Sequence, residues 1–134
     1  MSREFKNNIT VPGTAFLSKI IQSGAHLSDI TTMSDVNYTV TDTDSIILVT
    51  NTSGAKTITL PYPNENEGRM LWIHDVAGNA GTNSITLTYQ ISATNTTPHT
   101  LVMSVNYSTR ILLCLSGSWI ALFNGATFIG APFS

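Results

Sequence analysis

The sequence predicts an all-β protein, an antiparallel β-sandwich or jelly-roll-like module preceded by a short helical or extended segment. Three observations carry this prediction. From Asn37 onward, short stretches alternate aliphatic residues with Thr or Ser at period two, the spacing of a strand with one buried face. Turn chemistry cuts these stretches apart at short intervals, as in "TDTDS", "NTSGA", "VAGNAGTN" and "SGS". No strand–helix–strand alternation is present, which excludes a doubly wound α/β layout.

Taken in order, "NYTVT" (37–41) alternates, and "IILV" (46–49) is an apolar run too short for a helix. "KTITL" alternates up to Pro61, and "PYPNENEG" is a polar loop closed by Gly68. "RMLWIHD" places Met70 and Trp72 on one face and Leu71 and Ile73 on the other. A strand apolar on both faces needs cover on both, from a second sheet on one side and a further surface on the other. "SITLTYQI", "TLVMSV" and "STRILLCLS" follow as strands, and "SGS" turns tightly into "WIALFN" as a hairpin. Both tryptophans, Trp72 and Trp119, read as core. "TITL" recurs as "SITL", an echo too short for a repeat array. The tail "GATFIGAPFS" is rich in Gly and Phe.

Residues 1–34 differ. Phe16, Leu17, Ile20 and Ile21 have helix-like spacing after Pro12-Gly13, with Thr14 as N-cap and Gly24 as stop. A helix of about ten residues is marginal alone in water. It needs the domain's own sheet or a neighbouring protein to pack on. The expected layout is an N-terminal attachment segment at 1–34 and a β-sandwich module at 35–134.

Composition narrows the functional classes. Only 10% of the 134 residues are charged, and 20 Thr, 14 Ser and 11 Asn take the place of charge. Such an uncharged polar surface suits an extracellular protein or a member of a large assembly better than a free cytosolic enzyme. The net charge of −2 and six scattered Lys and Arg residues argue against nucleic-acid binding, which needs clustered cations. Cys114, the single cysteine, lies in "RILLCL" and reads as a buried core residue. "MSREFKNNIT" lacks the apolar stretch of a signal peptide, and no run approaches the roughly 20 apolar residues that span a membrane. Five N-x-S/T triplets reflect the Asn, Thr and Ser content.

The residues that could carry chemistry are poorly placed for it. His74 and Asp75 are neighbours on a strand, so they point to opposite faces. Glu65 and Glu67 sit in a Pro/Asn-rich loop, an unsuitable mount for a carboxylate pair. Asp42 and Asp44 lack the Gly and terminal Glu of a calcium loop. His26, His74 and His99 share no metal-ligand spacing. The expectation is therefore no catalytic residue, no metal and no cofactor.

Three stretches carry a resemblance. "NYTVTDTDSIILVTNTSGAKTITLP" has a "Y-x-V-x-x-x-D" strand, then "I-L-V", a Gly turn and "T-I-T-L-P". "NEGRMLWIHDVAGNAGTNSITL" has "G-R-x-L-x-I-x-D", a Gly/Asn loop and "N-x-I-T-L". "YSTRILLCLSGSWIALF" has a Tyr-Ser pair, an apolar strand and a turn leading to Trp. Together, over roughly residues 37–123, these resemble a β module of bacteriophage virion proteins, found in tail fibres, tail spikes, baseplates and head fibres. The chain departs from that pattern at "L-S-G-S" before Trp119 and at "ISATNTTPHT".

The resemblance implies a homotrimer located in the virion and bound to capsid or tail protein; composition and hydropathy give the expectation of no membrane or nucleic-acid partner. A short chain running from Met1 to Ser134 fits a decoration or head-fibre component better than a full tail fibre. Phe5, Phe16, Leu17, Ile20 and Ile21 are the expected docking residues, and Trp72, Trp119, Phe128, Ile129 and Phe133 the expected subunit-interface residues. The alternative is a receptor tip that holds host glycan in loops at Tyr62, Asn64, Glu65 and Arg69, or at 78–83.

Overall fold

The computed structural model describes residues 27–50, 52–124 and 131–132. In chain order the strands are β1 (Ile30–Met33), β2 (Tyr38–Thr39), β3 (Ile46–Val49), β4 (Lys56–Thr59) and β5 (Met70–Asp75). Then come β6 (Ile85–Tyr89), β7 (His99–Met103), β8 (Thr109–Leu115), β9 (Ser118–Asn124) and β10 (Ala131–Pro132). A 3-10 turn, Pro63–Glu65, precedes β5. One sheet has the order β1-β3-β5-β8-β9-β10 and the other β2-β4-β6-β7. The all-β sandwich predicted from sequence is the fold found.

The pairing is mixed, where the sequence pattern predicted antiparallel sheets throughout. Up to β6 the chain alternates between the two sheets, so β1, β3 and β5 run parallel, as do β2, β4 and β6. Only β6–β7, β5–β8, β8–β9 and β9–β10 are antiparallel. Period-two alternation fixes which face a residue takes and is silent on chain direction. Direction depends on whether a connection returns within its sheet, as a hairpin does, or crosses to the other sheet. The echo of "TITL" is explained by this winding. Thr57 and Thr59 of β4 lie in register with Thr86 and Thr88 of β6, one rung further on.

The core lies between the sheets. Ile47, Val49, Leu71, Ile73, Leu112 and Trp119 of the six-stranded sheet meet Ile58, Ile85, Leu87, Tyr89 and Met103 of the other, all essentially without exposure. β1 falls inside the segment 1–34 that the sequence reading set apart, so the sheet begins ahead of residue 35. Its Met33 reaches the core. Asp44 ties the edges together: it accepts hydrogen bonds from the Thr31 hydroxyl of β1, the Tyr38 phenol of β2 (2.9 Å) and the Thr41 amide (2.7 Å).

The β8–β9 hairpin turns through Ser116 and Gly117, both at positive φ (53° and 72°), as a two-residue loop of the primed kind requires. The Ser116 amide donates to Glu67 Oε1 at 3.0 Å. Cys114 is buried and free, as expected, and burial pushes its thiol up to about 11, with the Glu67 charge adding to the shift.

Candidate functional site

The two outer faces of the sandwich differ in chemistry. On the six-stranded sheet, Ile30, Ile46, Trp72 and Ile111 form one registered row, and Met70 and Leu113 continue into Ile120 in the next. Met70 and Trp72 are 46% and 47% exposed. Among the described residues, the ionisable side chain on the strands of this face is His74, whose Nδ1 meets the Thr109 hydroxyl at 2.8 Å. A groove of about 450 Å³ opens among Ser28, Ser45, Ile46, Met70 and Trp72. Five strands at about 4.8 Å spacing and about five residues long give a plan area on the order of 300 Å². The largest apolar patch of a typical monomer is of about this size and is often functional.

On the four-stranded sheet the same pleat positions hold threonine. Thr39, Thr59, Thr88 and Thr100 make one row across all four strands, and Thr57 and Thr86 lead to Val102 in the next. This face is equipped for water.

At the ends of β2, β4 and β6 the threonine row runs into a cleft of about 470 Å³. Its floor is Val40, Leu60 and Tyr89, the last stacked on His99 with ring centroids 4.9 Å apart. One wall is formed by Pro61 and Tyr62, and the rings of Pro61 and the following Pro63 restrict φ and bias Tyr62 to extended backbone (φ −60°, ψ 129°). That wall is anchored to the opposite sheet. The Trp119 indole donates to Pro61 O at 2.9 Å and the Cys114 thiol to Pro63 O at 3.3 Å.

Of the sequence-predicted ligand residues, Tyr62 and Glu65 line this cleft, and Asn64 and Arg69 do not. Asn64 is exposed on the 3-10 turn. The Arg69 guanidinium donates to the carbonyls of Thr41 and Asp44 and to Asn66 Oδ1, so it holds loops together. The loop at 78–83 is likewise organised from within. Buried Asp75 accepts from the amides of Gly78, Ala80 and Tyr107, and Asn106 accepts from that of Gly81. The cleft residues that sequence reasoning missed are Thr39, Thr59, Thr88 and Gln90. They stand far apart in the chain and meet only through parallel register.

Trp119 corrects an expectation. It is fully buried in its own chain, so its side chain has no surface to offer a sister subunit. Trp72 departs from the core reading in the opposite sense, standing half exposed on the outer face. Phe5, Phe16, Leu17, Ile20, Ile21, Phe128, Ile129 and Phe133 lie outside the described residues. His74 and Asp75 do point to opposite faces, one toward Thr109 and the other into the loop at 78–80. Among the described residues, no three His, Cys, Asp or Glu side chains converge as a metal site would require, and no helix is long and apolar enough to cross a membrane.

No family model and no curated protein matches this chain.

Proposed function

We propose that this protein is a non-enzymatic structural component of a virus particle, a homotrimer that decorates or caps a capsid or tail. The single observation that supports assembly is the outer face of the six-stranded sheet. Its Met70, Trp72 and Leu113 take the positions that hold threonine on the other sheet. Apolar side chains gain about 25 cal/mol for each Å² withdrawn from water, and this face gains it only when another surface covers it. An obligate subunit interface has this composition, that of a core cut in half. The viral setting rests on the motifs between residues 37 and 123, and the N-terminal segment is the proposed attachment to capsid or tail protein.

Sedimentation equilibrium tests the assembly: the expected mass is three times 14.4 kDa, and a stable single-chain mass overturns it. Deleting the residues before β1 leaves the sandwich folded and abolishes attachment to particles. Retained attachment would move docking to the sandwich or the tail.

A further inference from the structure

We infer that the cleft at the ends of β2, β4 and β6 binds a neutral pyranose sugar, with its ring face on Tyr62 and its hydroxyls on Thr59, Thr88 and Glu65. The residues named belong to one chain, and the oligomeric state is tested separately.

Four features of the cleft lead to this ligand. Its volume of about 470 Å³ lies within the range of small-molecule sites, roughly 300–1,000 Å³. Its lining is amphiphilic: Val40, Leu60 and Pro61 offer apolar surface, and Tyr62 offers a ring face with a polar tip. Its polar groups suit hydroxyls. A sugar hydroxyl both donates and accepts, and so does a threonine hydroxyl, while the Glu65 carboxylate accepts from two neighbouring hydroxyls at once. Among the described residues, the side chains of Thr39, Thr59, Thr88 and Glu65 have no hydrogen-bond partner within the chain. Finally, among the described residues Glu65 is the single carboxylate at the cleft and no Lys, Arg or His lines it, so these residues offer phosphate and acidic sugars no counter-charge.

The site is also preorganised. Tyr62 stands between two prolines whose carbonyls are bonded to Trp119 and Cys114 across the sandwich. Ordering the wall therefore costs little at the moment of binding, the condition under which few contacts give measurable affinity. The three threonines sit on consecutive parallel rungs, spaced by the sheet itself.

The test is titration of the full chain, by calorimetry and by amide-shift NMR, with the methyl glycosides of glucose, galactose, mannose and N-acetylglucosamine. N-acetylneuraminic acid serves as the acidic control. The expected result is saturable binding of at least one neutral glycoside, with a dissociation constant on the order of 1 mM. The shifted amides fall at Thr59–Glu65 and Thr88–Gln90, and the acid does not bind. Tyr62→Ala weakens binding about tenfold or more, which is about 1.4 kcal/mol. Tyr62→Leu, which keeps the apolar bulk, weakens it similarly, and Glu65→Gln weakens it less. No saturable shift with any neutral glycoside, equal affinity in both Tyr62 variants and the parent, or a preference for the acid would each overturn the inference. A mass measurement on the same sample decides the trimer reading separately.

Discussion

On β5 and β8 the outward positions include Met70, Trp72, Ile111 and Leu113 beside the His74–Thr109 pair; on β4 and β6 they are Thr57, Thr59, Thr86 and Thr88. The inward positions of both sheets are mainly apolar and buried, with Asp75 of β5 and Arg110 of β8 as buried charged members. The buried core is built from the inward set, and outward pleat positions accept residues of either polarity. The difference between the faces therefore concerns what touches the molecule. One face is suited to contact with protein, and the other to water and, at its end, to hydroxylated ligands.

The two tryptophans separate folding from assembly most sharply. Trp119→Ala opens a core cavity and deprives Pro61 O of its donor, so denaturant unfolding should show a loss of about 3–5 kcal/mol. Trp72→Ala removes an outward side chain, and the single chain should keep its fold while association weakens. Equal losses in both variants would mean that the outer face is part of the folding core.

A charge exchange breaks the comparison at the level of mass. Met70→Lys with Trp72→Lys places two ammonium groups on the apolar face, and a covered interface leaves them without water or a partner. The expected sedimentation mass falls to that of one chain. Thr57→Lys with Thr86→Lys on the opposite sheet should leave the mass unchanged. Loss of the trimer in the threonine pair alone would exchange the roles of the two faces.

The link between the sheets predicts a smaller, pH-dependent effect. Burial opposes ionisation of Asp44, and the hydrogen bonds from Thr31, Thr41 and Tyr38 outweigh it and hold the carboxyl below its ordinary 3.8. Asp35 is also lowered, first by its hydrogen bond with Lys56 and then by Ser53. A carboxyl whose folded value is depressed adds stability that is complete above its unfolded value and lost as pH falls through the folded one. Stability should therefore be flat from neutrality to about pH 5 and decline below 3.8. Asp44→Asn should remove about 1–2 kcal/mol at pH 7 and flatten that decline, as read from denaturation midpoints across the acid range. An unchanged acid slope in the variant would assign the effect elsewhere.

Much of this contrast is legible in the sequence, because pleat alternation is a local property. "RMLWIHD" alone assigns Leu71 and Ile73 to one face and Met70 and Trp72 to the other, and the structure buries the first pair and exposes the second. The parallel winding is not legible, since nothing in "KTITLP" distinguishes a return within one sheet from a crossing to the next. The cleft was lost with it. Tyr62 and Glu65 are visible as loop residues, yet Thr39, Thr59 and Thr88 join them only when three rungs align. Trp72 read as core because a large aromatic in a strand usually is core, yet it stands half exposed on the outer face.

The smallest expected effect tests whether threonine on the polar face is needed for folding at all. Thr86→Val nearly conserves shape and removes one hydroxyl beside Val102, away from the cleft. The group is solvated in the folded and unfolded states alike, so unfolding should change by less than about 0.5 kcal/mol in either direction. Repeating the exchange at Thr57 extends the apolar patch along the registered row, and stability should again hold while the protein becomes less soluble. A loss above 1 kcal/mol for Thr86→Val would mean that the hydroxyl is bonded within the fold. The two faces would then differ in how they fold as well as in what they meet.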